Sequence, residues 1–360
     1  MRGNARQSCA TIMRALSLLS SQTARGGRAT IVLIVAATLF FFGCQNNGPN
    51  DRPLELKFGH VGAPGSLFAL SAEEFARRAN EALGGQANVV VFGSSQLGGD
   101  ELLLQKLKLG TIDFALPSSI LSSFVPEFGL FEMPYLVQDR DHMKRIEKEV
   151  FWSDLAPLSE AAGYKIIAVW ENGFRHVTNS VRPVLVPEDL RGIKLRTPRG
   201  VWRLRMFQGF GANPTPMALS EVFVALQTGV MDGQENPFAQ IYSSKFQEVQ
   251  TYLSLTGHVY TPAYFATGTN RWSQLSEDVR VVLERVAHDT QEFVYETAKR
   301  LDSELLEELE QAGMAINEID RQSFLDASQA IYETFGTEVA GGQELVERAV
   351  ALAKSPGAGS

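Results

Sequence analysis

Thiols are almost absent from this chain of 360 residues: the only cysteines are Cys9 and Cys44. Everything beyond Cys44 therefore has no disulfide, no thiolate nucleophile and no soft metal site, and must hold together by packing. Histidine is also scarce. The five residues His60, His142, His176, His258 and His288 include no two that stand three or four apart, which removes the paired helical ligands of zinc hydrolases. The patterns GxxxxGK[ST], GxGxxG and GxSxG do not occur, so the common phosphate cradle, dinucleotide turn and nucleophile elbow are excluded. A basic excess is missing too: 33 Lys and Arg stand against 41 Asp and Glu, a net charge of −8, which argues against wrapping nucleic acid. What remains is ordinary globular composition, 44% hydrophobic and 21% charged, with length for one large or two medium domains.

Charge is unevenly spread. Residues 1–43 hold Arg2, Arg6, Arg14, Arg25 and Arg28 and no acid, and end in the apolar run ATIVLIVAATLFFFG before Cys44. Arginines followed by a short apolar run and a small residue read as an export signal; an uncleaved anchor helix is the alternative. FFGC is similar to the lipobox of bacterial lipoproteins, with Phe41 where leucine is usual. That resemblance implies lipidation at Cys44 and a protein exported and tethered to a membrane. Residues 44–53 form a polar linker, and residues 354–360 a small, polar, flexible tail.

Between these ends the chain alternates strands and helices. Leu54, Leu56 and Phe58 alternate with polar residues, and Phe68, Ala72, Phe75, Ala76, Ala79 and Leu83 recur at helical spacing up to Gly84. Strands are expected over 88–92, 114–116, 165–169, 174–179 and 194–197. Helices are expected from Asp100, read as a cap, to Leu109, and over 200–209 and 220–228. This order is that of α/β folds with a mainly parallel sheet, in two lobes. From Ser276 to Ala312 apolar residues recur at Val279, Leu283, Val286, Thr290, Phe293, Leu301, Leu305 and Leu309 without an intervening proline or glycine. One helix of that length spans roughly 55 Å, more than either lobe. Shorter helices are expected over 320–335 and 343–353.

Polar chemistry gathers in the second half. Arg175 sits in ENGFRHVTNS, and Arg196 closes a strand in LRGIKLRTP where Ile193 and Leu195 alternate with Lys194 and Arg196. An arginine at a strand end offers a planar fork of donors that fits a carboxylate; a surface arginine paired with a nearby acid is the plainer alternative. Asn236, in DGQENP, can add an amide donor from a fixed turn flanked by Gly233 and Pro237. Glu235 can pair with a structural arginine, and Trp170 can be core. Tyr242, Tyr260 and Tyr264 can line a cleft or pack a hinge.

The block NPTPMALSEVFVALQTGVMDGQENP (213–237), with LRGIKLRTP before it and SSQLGGD (94–100), resembles the DctP-type extracytoplasmic solute-binding proteins of tripartite ATP-independent periplasmic (TRAP) transporters, over about residues 54–335. The resemblance implies a two-lobed periplasmic-binding-protein-like (Venus flytrap) α/β fold with a long helix bridging both lobes. Lobe I would be 54–173 plus 262–301, and lobe II 174–261 plus 302–353. It also implies roles: Arg196 as the main partner of the ligand carboxylate, Arg175 as a second arginine, and Asn236 completing the clamp. Val61, Asp100 and Ser118 fall on wall positions of lobe I and Leu219 on one of lobe II. Leu219 stands where sialic acid-binding members have an aromatic residue and Ser118 where they have an acid, which argues against sialic acid. Arg199, in RTPRG, is a further cation for a second carboxylate or a sugar-acid hydroxyl.

The function so implied is binding without catalysis: capture of a small carboxylate, such as a sugar acid or C4-dicarboxylate, in the interlobe cleft and delivery to the small and large membrane subunits. No cofactor, metal or nucleic acid is expected, and the mature protein would be periplasmic. A ligand sensor for a signalling partner, or a hydrolase using Ser118 or Asp100, are the alternatives.

Overall fold

The computed structural model describes residues 53–353; the expected export signal, Cys44, the expected linker up to Arg52 and the expected tail from Lys354 lie outside them. Strand β1 (Leu54–Gly59) runs into helix α1 (Leu67–Leu83). Ser66 starts the helix, its hydroxyl accepting from the Ala69 amide at 3.2 Å, and Gly84 ends it in the left-handed region at φ 55°. Strand β2 (Ala87–Phe92), helix α2 (Asp100–Leu109) and strand β3 (Phe114–Ala115) follow. The cap of α2 is Gly99 and not Asp100, which is instead its first helical residue. Its carboxylate sits where the helix dipole favours negative charge.

From Ser119 to Ala161 the chain makes short helices, among them 3₁₀ turns over Ser119–Ser123 and Pro126–Glu132 and a π-helical stretch over Glu147–Leu155. No single apolar register persists there, so periodicity gives no warning of them. Strand β4 (Tyr164–Asn179) is one element of 16 residues, where the sequence reads as two. The apparent gap is a bulge between Glu171 and Gly173, with Gly173 at φ 120°, a conformation closed to most side chains. Then come β5 (Lys194–Thr197), α3 (Val201–Gly209), β6 (Asn213–Pro216), α4 (Leu219–Gln227), β7 (Gly233–Asn236), α5 (Phe238–Ser243) and β8 (Tyr252–Gly268). The segment DGQENP, expected as a turn, is thus largely strand β7, paired antiparallel with His176–Asn179 of β4.

All strands join one nine-stranded sheet in the order β2-β1-β3-β8-β4-β7-β5-β6, with β9 (Ala315–Asn317) on β8. The expectation of a mainly parallel sheet holds for its wings. β2-β1-β3 and β7-β5-β6 are parallel, but the centre is the antiparallel pair β4 and β8. Both central strands run from one wing into the other: β7 pairs with the end of β4, and β3 pairs with Ala266 near the end of β8. Two crossing strands of this length make a two-lobed molecule on one continuous sheet.

The first wing is built around packed rings. Phe75 and Phe265 lie 4.4 Å apart between centroids, and Trp170 stacks on Phe265 at 5.0 Å. Trp170 is core, fully buried with its indole N–H donating to the Ala287 carbonyl. Helix α6 (Glu277–Gln311, 35 residues) begins at Ser276, whose hydroxyl accepts from the Val279 amide. Its buried face includes Val279, Leu283, Val286, Thr290, Leu301, Leu305 and Leu309, while Val294 takes the place expected of Phe293, which is half-buried. It packs on α1 of one wing and α5 of the other, the bridging role expected of it. The following helical segment is broken into Arg321–Ala327 and Gln329–Glu338, and a last helix covers Gly342–Ala351.

Candidate functional site

Between the wings lies a cavity of about 430 Å³, at the carboxyl ends of β1, β3, β5 and β7. That is where α/β sheets leave a crevice, because the loops diverge as the parallel strands end. The loop after β1 brings Val61, and the start of α2 brings Asp100 and Glu101. The segment after β3 brings Ser118 and Ser119, and β4 brings Asn172 and Arg175. From the other wing come Arg196 at the end of β5, Arg199 after it, Met217 and Leu219 at the start of α4, Asn236 at the end of β7 and Gln240 of α5. All eight residues singled out in the sequence, Val61, Asp100, Ser118, Arg175, Arg196, Arg199, Leu219 and Asn236, line this one space.

They do not line it in the same way. Arg175 and Arg196 are each only 3% exposed, but their partners differ. The Arg175 guanidinium is taken up by the chain: Nε donates to Glu235 Oε2 at 2.5 Å, and Nη2 donates to Glu235 Oε1 at 2.9 Å and to Asn236 Oδ1 at 2.9 Å. Glu235 is shared with Arg203 of α3, whose Nη1 lies 2.6 Å from Oε2, and with His258 at 3.0 Å; Arg203 reaches on to Glu132 at 2.8 Å. Asn236 donates its amide in turn to Gln234. So Glu235 does pair with structural arginines, and Asn236 orients Arg175, keeping one amide hydrogen for a ligand.

Arg196 has no such partner. Its Nε and Nη2 both donate to the Met217 carbonyl oxygen, at 2.9 and 2.6 Å, and among the described residues it makes no ion pair. A guanidinium removed from water without a countercharge is costly. Burial pushes its pKa down to about 10, an effect that the charges of Glu235 and Asp100 only partly offset.

The buried network behind it is polarised by the same forces. Burial acts to raise the Glu235 carboxyl, but Arg175 and Arg203 win and hold it well below the usual carboxylate range. Burial pushes Glu132 up despite Arg203, and pushes His258 down to about 4 against the pull of Glu235, so this imidazole is neutral near pH 7.

The opposite wall is milder. Asp100 is half-buried, and desolvation raises its pKa to about 6 although the Arg196 charge opposes the shift. Ser118 Oγ donates to the Pro262 carbonyl at 2.6 Å, and no histidine lines the cavity among the described residues. Arg199 is half-exposed and its Nη1 lies 3.2 Å from Glu101 Oε2 across the mouth. Of the tyrosines singled out, Tyr260 and Tyr264 are buried, Tyr242 is at the surface, and none of the three lines the cavity.

Several contributors escape a reading of the sequence. Asn172 and Gln240 are isolated amides in ordinary contexts. Arg203, by contrast, carries a legible signal: in VWRLRMFQG it stands one residue from Trp202 and three and four from Met206 and Phe207, all buried. A charge on the apolar face of a helix needs a buried partner.

The family model for bacterial extracellular solute-binding protein, family 7 (DctP), matches residues 58–338. The chain is 31% identical to the 2,3-diketo-L-gulonate-binding periplasmic protein YiaO of Escherichia coli over 81% of this chain and 90% of that one. It is 30% identical to the C4-dicarboxylate-binding periplasmic protein DctP of Vibrio cholerae, over 88% and 97%. A crystal structure of a TRAP periplasmic solute-binding protein from Polaromonas, bound to D-erythronate, superposes with a TM-score of 0.80 at 34% identity, covering 84% of this chain and all of that one.

Proposed function

The chain belongs to the bacterial extracellular solute-binding protein family 7, and on that premise we propose that it captures a small organic acid between its lobes through Arg196 and delivers it to the membrane subunits of a TRAP transporter. One observation carries this reading: Arg196 is buried at the cavity wall, donates only to a backbone carbonyl and has no paired carboxylate among the described residues, Glu235 and Asp100 acting on it only from a distance. A ligand carboxylate supplies that partner, and in a site closed to water the paired bonds are far stronger than in solution. Relatives named for a diketo acid and a C4-dicarboxylate, and one solved with D-erythronate, support a ligand among sugar acids and dicarboxylates.

Closure of the lobes about β4 and β8 is the accompanying motion, with lobe I as 54–173 plus 262–301 and lobe II as 174–261 plus 302–353. The bulge at Glu171–Gly173 supports a flexing point at that boundary. Binding without turnover fits the wall, since the Ser118 hydroxyl is spent on Pro262 with no base beside it. Periplasmic location with a tether at Cys44 completes the proposal.

A thermal-shift screen of the protein against dicarboxylates, sugar acids, keto acids, amino acids and neutral sugars tests it, because a ligand that binds only the folded state raises Tm. Stabilisation by an acid class, abolished in Arg196→Ala, is the expected result. Stabilisation by neutral sugars alone, or an acid response that survives Arg196→Ala, overturns the reading.

A further inference from the structure

The arginines of the cavity are not equivalent in charge, and the difference bears on the ligand. Arg175 is ion-paired with Glu235 inside the protein, and Arg199 with Glu101 at the exposed mouth. Arg196 alone, among the arginines lining the cavity, faces it without a carboxylate partner. The wall facing it carries the negative groups Asp100 and Glu101, and the uncharged polar side chains lining the cavity are amides or hydroxyls: Gln105, Asn172, Asn236, Gln240, Ser118 and Ser119.

We propose that the cavity is built for a ligand with a single carboxylate and a hydroxylated remainder, an aldonate or similar hydroxy acid, and that it selects against C4-dicarboxylates. The inference rests on the reading of Arg196 as the carboxylate partner and narrows it. One available cation matches one carboxylate. A second carboxylate would have to approach Asp100, which desolvation already disfavours in its charged form, and Glu101, and like charges repel there; parting the exposed Arg199–Glu101 pair adds only a small cost. Hydroxyl groups meet no such penalty: they donate to a carboxylate such as Asp100 and accept from side-chain amides. The Asp100 carboxyl, raised to about 6, is still mostly ionised at pH 7.5 and serves as acceptor and as electrostatic barrier. A site lined with groups that require hydrogen bonds also rejects an analogue lacking hydroxyls, because those groups are then buried unpaired.

The test is calorimetric titration at pH 7.5 of the full chain, purified in mild detergent, with erythronate, galactonate and glucuronate as hydroxylated monocarboxylates, butyrate as the bare one, and succinate and malate as dicarboxylates. The best hydroxy acid is expected to bind at least about 100-fold more tightly than succinate or malate and than butyrate. Asp100→Asn and Glu101→Gln, each checked for an unchanged Tm, are expected to raise succinate affinity and narrow the first gap about tenfold or more. Succinate or malate binding within tenfold of the best hydroxy acid overturns the selection while leaving the carboxylate reading intact. Butyrate binding as well as erythronate overturns the hydroxyl requirement. If none of these acids binds and a neutral sugar does, the carboxylate reading itself fails, and this inference with it.

Discussion

Arg175 and Arg196 are the same residue, buried to the same degree, on the wall of the same cavity, yet the regions around them do opposite things. Around Arg175 the sheet supplies Glu235, Asn236 and, one shell away, Arg203, Glu132 and His258, so its charge is consumed by the fold. Around Arg196 there is a backbone carbonyl and the cavity, with Glu235 and Asp100 acting only from a distance. The first arrangement is a strut, and the second leaves guanidinium donors facing the cavity. Burial of a charge therefore does not by itself mark a binding group; the absence of its partner does.

Substitution separates the two regions. Replacing Arg175 by Met strands Glu235 against a reduced set of cations, and breaking a buried pair in this way costs about 3–5 kcal/mol. A large fall in the denaturation midpoint is expected, against about 1 kcal/mol for Arg196→Met, which loses only bonds to a carbonyl. Equal stability losses in chemical denaturation would erase the distinction. Binding inverts the order. Arg196→Ala is expected to weaken the cognate acid by one to two orders of magnitude or more, since a charge-assisted contact out of water contributes about 1.5–3 kcal/mol; titration of the folded variant reads this directly, and unchanged affinity would contradict it.

Acid sharpens the contrast further. His258 lies in the Arg175 network with its pKa lowered to about 4, while the unfolded value is near 6.5. The unfolded chain then binds the extra proton between these values, so stability is present above about 6.5 and is lost as pH falls toward 4. His258→Gln keeps a hydrogen-bonding group but removes the titration. It is expected to flatten the slope of unfolding free energy against pH by up to about 1.4 kcal/mol per unit in that window. Arg196→Ala keeps the His258 contribution and acts instead on Asp100, whose carboxyl rises further once the Arg196 charge is gone. The smallest effect belongs to the mouth: the Arg199–Glu101 pair is half-exposed on both sides, so Arg199→Gln is expected to change ligand dissociation by only a few-fold, in line with about 0.2–1 kcal/mol for such pairs. A stopped-flow release rate altered a hundredfold would show that the pair is a true latch.

Elements with one dominant period were legible in the chain. Helix α6 differs from its expected span by one residue at each end, because an unbroken apolar stripe over ten turns admits no other reading and Ser276 marks its start. β5 was read at its full extent from four alternating residues. Elements whose hydrogen bonds are satisfied by distant strands were not. Gln234, Glu235 and Asn236 look like a polar turn and are buried strand, tolerable only because Thr178, Arg175 and Arg203 meet them from elsewhere. The same holds for β4, whose centre carries Glu171, Asn172 and Gly173 and reads as a break until β8 is laid beside it.

By itself, then, the sequence determined the alternation of strands and helices, the bridging helix and the eight cavity residues, since local pattern and a long ordered motif leave traces along the chain. Tertiary structure alone decided which arginine is free. Whether a guanidinium is neutralised depends on carboxylates that lie far off in sequence and within 3 Å in space: Glu235 stands 60 residues from Arg175, and nothing comparable approaches Arg196. Coulomb interactions act over distance in space, not along the chain, and so the charge left over for a ligand exists only once the lobes are folded.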